Sequence, residues 1–335
     1  MYSVKIGSEI HFACEPGESV LDAAARAGFT LAYSCRTGRC STCRCKMVQG
    51  KSAALHPELG LTEAEIADGW VLSCVRTPLT DLVLEGEGVA ARLPPVRTVP
   101  CRIQAMEGLA NGVLRVVLRL PATSEFDFIP GQYVNVIGHG GVRRSYSLAN
   151  ASLFGKCIEL HVREVPGGVM SGYWFYRAKV GDLLRINGPL GTFFLRDLSG
   201  LHLIFLATGT GIAPVVSMLG GLERLPIEQR PASVSVYWGG RRRSDLYVDL
   251  TSSDLSHGVP YAFVPVLSRP DRDWTGSRGY VQHELLARHP DLSQSVVYAC
   301  GSESMIHGAR QLLISSGLPT RRFMSDAFVC SAAAS

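Results

Sequence analysis

Three groups of residues in this chain have types and spacings suited to redox chemistry. The first is Cys35, Cys40, Cys43 and Cys45, four of ten cysteines, all within eleven residues. Cys35, Cys40 and Cys43 have the spacing C-x4-C-x2-C, and Cys74 follows with thirty residues between. Four thiolates so spaced suit a [2Fe–2S] cluster. In the run RTGRCSTC, Gly38 lets the backbone fold tightly, while small Ser41 and Thr42 let main-chain N–H groups approach sulfur. Structural zinc is the competing reading. It normally takes two short C-x2-C pairs, and Cys74 has no near partner. Cys45 could replace Cys43 on counting alone, but it sits one residue into the following strand, which points it away. Cys14, Cys101, Cys157 and Cys330 read as small buried hydrophobes.

The second group follows the basic pair Arg143-Arg144. Strand alternation puts Arg144 and Tyr146 on one face. A tyrosine there can pack on an isoalloxazine ring while the arginine fork grips a phosphate. Further on, Gly168-Val169-Met170-Ser171 opens a helix, and helix N-termini bind anions through their unpaired N–H groups. Two phosphate-facing devices favour FAD over FMN.

The third group begins where an apolar strand runs into Thr208-Gly209-Thr210-Gly211-Ile212-Ala213-Pro214 and then a helix. Strand, glycine loop and helix suit a dinucleotide pyrophosphate, although the G-x-G-x-x-G form is absent. After the next strand comes Gly239-Gly240-Arg241-Arg242-Arg243-Ser244-Asp245-Leu246, where the ribose end belongs. Three arginines there could read a 2′-phosphate, or stand solvated. Cys300-Gly301 closes a later strand, where Cys300 would place the nicotinamide edge over a flavin. Phe328, near the end, could cover the flavin face.

The elements that must hold these groups divide the chain in three. Residues 1–92 alternate apolar and polar from Tyr2 to Phe12, then place a helix at Val20–Ala27 behind the cap Ser19. Strands follow at Arg44–Val48, Trp70–Val75 and Asp81–Glu85, with a short helix behind the capping box at Thr62. Leu93-Pro94-Pro95 is a stiff linker. Residues 97–196 carry six short strands and a helix near Ser171–Ala178, the pattern of a closed antiparallel barrel. Residues 197–335 alternate apolar strands (Leu201–Ala207, Ser233–Trp238, Ala262–Val266, Val296–Ala299) with helical stretches, as a parallel α/β domain does.

Charge follows the same division. The three segments carry net charges of −2, +6 and 0. The basic middle segment has no basic helix or stacking aromatics, so a phosphate-bearing cofactor explains it better than nucleic acid. The apolar run Leu203–Leu219 is broken by glycines and Pro214, so no membrane span is expected. No secretion signal is apparent, so ten cysteines argue for metal binding rather than disulfides, and the expected location is the cytoplasm.

In order, YSCRTGRCSTC with Cys74, RRSYSLAN, ELHVREVPGG, GTGIAPV, YACGS and SDAF resemble the ferredoxin-fused reductases of the ferredoxin–NADP reductase superfamily. The resemblance covers nearly the whole chain. It implies a β-grasp plant-type ferredoxin domain, a six-stranded flavin barrel and a nicotinamide domain with a parallel sheet. It carries over Arg144, Tyr146 and Ser147 as flavin residues, with His161 and Val162 beside them and Gly168 and Ser171 at the FAD diphosphate. Thr208 to Gly211, Arg241, Cys300 and Gly301 are carried over to the nicotinamide, and NADH is the expected donor. Thr208 and Ser41 stand where relatives often have glycine. The expected acceptor is the oxygenase component of an aromatic-ring hydroxylating system. The alternative is the dehydratase served by CDP-6-deoxy-glucoseen reductases, which YACGSESMI and SDAFV also resemble.

Overall fold

The computed structural model describes residues 1–86, 88–89, 93–252 and 258–328. The chain forms two compact units, one built on Met1–Arg92 with the short segment that opens at Ser325, the other on Leu93–Met324.

In the first unit the alternating N-terminal run folds as a hairpin of Tyr2–Ile6 and Ile10–Cys14, turning at Gly7 with φ +60°. Tyr2–Ile6 also pairs in parallel with Leu82–Glu85, which lies antiparallel to Arg44–Gln49; Trp70–Leu72 completes five strands. The helix Val20–Arg26 lies against this sheet. Ser19 accepts a hydrogen bond from the Asp22 N–H to start it, and Val20, Leu21, Ala23 and Ala24 are buried. This is the β-grasp arrangement. At Thr62 both halves of the capping box form, and the helix Glu63–Ala67 follows. The strand expected over Trp70–Val75 stops at Leu72, because Ser73–Val75 turn and bring Cys74 round to the other cysteines. Sequence periodicity missed the small antiparallel pair Ser52–Ala54 with Arg76–Pro78.

The second unit opens with six antiparallel strands in the order Arg143–Ser147, Tyr133–Ile137, Leu183–Leu190, Arg97–Ala110, Val113–Arg119, Cys157–Arg163. A bridge between Leu148 and Leu160, and the Ala149 N–H donating to the Glu159 carbonyl at 2.8 Å, close the barrel. All six expected strands are present. The helix expected near Ser171–Ala178 runs Val169–Tyr176, two residues earlier, since Gly168 rather than a side chain begins it.

Parallel strands then follow in the order Ser277–Arg278, Tyr261–Leu267, Ser233–Gly240, His202–Thr208, Ser295–Gly301. Every residue of Ser295–Gly301 is buried, as a parallel strand covered on both faces requires. The strand His202–Thr208 has its chain successor on one side and the much later Ser295–Gly301 on the other. The strand order therefore reverses between these two, and open α/β sheets bind ligands at the carboxyl ends flanking such a point.

Candidate functional site

In the first unit, the four cysteines of the spacing come together as two pairs. Cys35 and Cys40 share a side-chain hydrogen bond, and Cys43 and Cys74 share another. The contact with Cys40 draws Cys35 down to about 5, and the contact with Cys43 draws Cys74 down; Cys40 and Cys43 are pushed up by the same contacts and by burial. Among the described residues no three His, Cys, Asp or Glu side chains converge on one point. A single zinc ion needs three or four ligands at one point, whereas two irons need two thiolates each. Two sulfur pairs fit a two-iron cluster, each pair supplying the two thiolates of one iron.

Main-chain donors surround these sulfurs. The Cys35 N–H lies 3.4 Å from the Cys40 sulfur and the Thr37 N–H 3.4 Å from the Cys35 sulfur, while the N–H groups of Gly38 and Arg39 address Cys74 and Cys35. Such donors stabilise thiolate charge. The loop reaches this shape through three left-handed residues: Arg36 (φ 57°), Gly38 (φ 74°) and Ser41 (φ 61°). Ser41 holds its conformation by donating its hydroxyl to the Gly60 carbonyl. Ser41 and Thr42 also bond through their hydroxyls, Thr42 to the Ser325 carbonyl at 2.9 Å. Cys45 is buried in the sheet core 3.9 Å from the Val71 carbonyl, and burial pushes its thiol up to about 12.

Of the remaining cysteines, Cys14 and Cys101 are buried as expected. Cys157 is only half-buried, with its thiol 3.1 Å from the Gln104 side-chain oxygen, so it is not a core residue. It opens an edge of the barrel strand, where the side chain meets a polar neighbour. Cys330 lies outside the described residues.

In the barrel, Tyr146 accepts a hydrogen bond from the Trp174 indole at 2.9 Å, and burial pushes its phenol up to about 12. Its ring orientation is therefore fixed by the helix behind it. Arg144 shares its face of the strand and folds one guanidinium nitrogen onto the Arg143 carbonyl at 2.7 Å. Ser147 is buried at the strand end. The loop Glu164–Gly168 and the helix start line a cleft of about 520 Å³. Ser171 accepts from the Val165 N–H at 2.7 Å, which folds that loop over the helix N-terminus. Val162 is buried in the barrel core, so only its main chain is available to a cofactor.

His161 and Arg163, two apart on one strand, face the α/β part of the same unit. His161 Nδ1 lies 3.3 Å from the Tyr247 hydroxyl, and its Nε2 3.4 Å from Glu159. Tyr247 meets Trp238 edge-to-face at 5.2 Å, and the Trp238 indole donates to the Gly209 carbonyl at 3.1 Å. A Cβ on Gly209 would come 3.0 Å from the Arg163 guanidinium. Barrel and glycine loop are thus joined through Tyr247, Trp238 and Arg163, none of which the motifs singled out. The only available signal was Arg163 inside ELHVREVPGG.

At the switch point the two loops touch backbone to backbone. A Cβ on Gly211 would lie 2.4 Å from the Cys300 carbonyl oxygen, and one on Gly301 (φ 125°) 2.3 Å from the Thr208 hydroxyl. Thr208 accepts from the Ser302 N–H at 3.0 Å, so the departure from glycine there ties the two loops together. Thr210 is buried in the same loop. Cys300 is fully buried, its thiol 2.8 Å from the Gly211 carbonyl. Asp245 accepts from the Arg241 and Arg242 N–H groups at 2.8 and 3.0 Å, fixing the turn that presents three exposed arginines. Phe328 is half-buried.

Known proteins fit this picture. Residues 4–79 match the 2Fe-2S iron-sulfur cluster binding domain, 100–195 the oxidoreductase FAD-binding domain and 205–311 the oxidoreductase NAD-binding domain. The CDP-6-deoxy-L-threo-D-glycero-4-hexulose-3-dehydrase reductase of Yersinia pestis is 38% identical over 324 residues, 96% of each chain. The reductase subunit of an aromatic O-demethylase from Amycolatopsis is 32% identical over 337 residues, 98% of each. The crystal structure of the Amycolatopsis cytochrome P450 reductase GcoB superposes with a TM-score of 0.75 at 30% identity, covering 99% of this chain and 100% of that one. Among the described residues no helix is long and apolar enough to cross a membrane.

Proposed function

The chain belongs to the ferredoxin-fused NADH reductases of the ferredoxin–NADP reductase superfamily, and from that premise we propose that it delivers electrons to a dehydrase acting on a CDP-linked deoxyhexulose. It is an oxidoreductase whose cofactors are a [2Fe–2S] cluster, FAD and a nicotinamide dinucleotide, and it passes electrons from nicotinamide by way of flavin and cluster to a partner protein. The flavin supplies the step between a two-electron donor and a one-electron acceptor.

The residues divide the work. Cys35 with Cys40, and Cys43 with Cys74, hold one iron each. Tyr146 presents a fixed ring to the flavin, and Arg144, Gly168 and Ser171 take its phosphates. Thr208 to Gly211 carry the dinucleotide pyrophosphate, and Cys300-Gly301 shape the floor under the nicotinamide. Arg241 stands at the ribose end, with NADH as the donor. Exposed Arg36 and Thr37, with half-buried Arg39, form the surface from which electrons leave. Among the described residues nine cysteines are unbridged, which supports a cytoplasmic location.

One observation carries the choice of partner: the dehydrase reductase is 38% identical over the same span in which the demethylase reductase is 32% identical. A second reading, an oxygenase partner, draws on the demethylase subunit and the GcoB structure. Stopped-flow reoxidation of the reduced protein by a purified hexulose dehydrase and by an oxygenase component decides between them. Faster reoxidation by the oxygenase overturns the proposal. For the relay itself, Cys40→Ser should keep NADH-dependent ferricyanide reduction and lose cytochrome c reduction.

A further inference from the structure

Cys35, Cys40 and Cys43 share one loop, and Cys74 reaches them from the turn Ser73–Val75. Main chain holds part of that turn: the Ser73 N–H donates to the Cys43 carbonyl at 3.0 Å, and the Leu21 N–H donates to the Ser73 carbonyl at 2.9 Å. A carboxylate grips it from both sides. Glu58 accepts the Leu72 N–H on Oε1 at 2.7 Å, two residues before Cys74. On Oε2 it accepts the Arg76 guanidinium, two residues after Cys74, with Nε at 2.9 Å and Nη2 alongside. The Glu58 side chain is 5% exposed and that of Arg76 17%. A charge so buried persists only where it is paired and hydrogen-bonded, and among the described residues both partners of this one flank Cys74.

The backbone around Glu58 rests on the loop of the other three cysteines. The Gly60 N–H donates to the Gly38 carbonyl at 2.8 Å, and the Ser41 hydroxyl donates to the Gly60 carbonyl. A Cβ on Gly38 would come 2.6 Å from the Pro57 carbonyl oxygen. Glu58 therefore stands with its main chain against one loop and its side chain on the turn that brings the fourth sulfur.

We propose that Glu58 is a positioning residue that sets Cys74 against the other three sulfurs, and that its ion pair with Arg76 fixes the turn. The proposal rests on Cys74 being a cluster ligand. Two acceptors are needed, one for each donor. Glutamine has the same shape but one acceptor, so its amide N–H groups must face either the Leu72 N–H or the Arg76 guanidinium.

The test uses the full chain with its cluster reconstituted. One readout is the rate at which an iron chelator bleaches the cluster; the other is the set of EPR g values of the reduced cluster, which reports ligand geometry. Glu58→Gln should speed bleaching about ten-fold, the loss of one hydrogen bond to a charged group, and should shift the g values. A residue that only stabilised the fold would leave the g values of surviving clusters where they are. Arg76→Met should also speed bleaching. Adding Glu58→Gln to Arg76→Met should cost nothing more, because the amide oxygen still takes the Leu72 N–H and no buried charge is left unpaired. An equal ten-fold effect in both backgrounds overturns the proposal, as does an unchanged bleaching rate or unmoved g values in Glu58→Gln. Should Glu58→Gln take up no iron, the double variant decides: iron that returns with it supports the pairing, and iron still absent overturns it. Absence of a reduced two-iron signal from the natural protein would instead remove the ligand assignment, and the proposal with it.

Discussion

The cysteine loop of the first unit and the crossed loops at the switch point of the second are both tight, but they are tight for different reasons. The cysteine loop is held by side chains. Ser41 grips Gly60, Ser34 and Thr42 reach the terminal segment, and two residues with Cβ atoms, Arg36 and Ser41, accept left-handed conformations. The crossed loops, tied by the single Thr208 hydroxyl, are otherwise closed by the absence of side chains: Gly211 and Gly301 bring main chain against main chain with no room for a methyl group. A site built from hydrogen bonds can be tuned in small steps. A site built from backbone contact either closes or does not.

That contrast sets the order of expected effects. Gly301→Ala should be the most damaging, since its Cβ would lie 2.3 Å from Thr208 at φ 125°. A displacement of about 1 Å can cost roughly 100-fold in rate. NADH-dependent ferricyanide reduction should fall by about that factor, while flavin absorbance survives. Retained activity would show that the crossing yields, and the contrast would fail.

Gly38→Ala comes next. It is the sterically closed point of the otherwise adjustable loop, with a Cβ 2.6 Å from the Pro57 carbonyl at φ 74°. The strain is about 1–3 kcal/mol. Iron analysis should show poor cluster retention with normal flavin content, which would confine the damage to the first unit.

Trp238→Phe removes the donor to the Gly209 carbonyl but leaves the ring against Tyr247. One unsatisfied carbonyl costs about 1 kcal/mol. The KM for NADH should rise about five-fold with kcat little changed. A fall in kcat alone would mean that the indole positions the flavin side instead.

Ser41→Gly should do least. Relief of a left-handed residue stabilises by about 1 kcal/mol and loss of the Gly60 hydrogen bond costs about the same. Melting temperature should hardly move. A clear drop would show that the hydroxyl matters more than the backbone, and would sharpen the view of this loop as held by side chains.

Much of the architecture was legible because its signals are local. Alternation at Tyr2–Phe12, the caps at Ser19 and Thr62 and the apolar runs of the parallel sheet each specify an element within a few residues. The errors also have local causes. The strand from Trp70 ends early because Cys74 must turn toward distant cysteines, while the barrel helix opens at Gly168 as its motif indicates. His161, Arg163, Tyr247 and Trp238 lie far apart in the chain, and no periodicity predicts that their side chains meet.

By itself, the sequence determined the chemistry: which cysteines have the spacing for two irons, which strand carries the arginine and tyrosine, and which loop is poor in side chains. Those are properties of residue type and interval. Only the tertiary structure decided that the sulfurs stand as two pairs, that Cys300 is sealed from solvent and that Thr42 reaches the Ser325 carbonyl. Contacts of this kind depend on where the fold brings remote segments together. Burial and the single proton of a hydroxyl then fix what each contact can do.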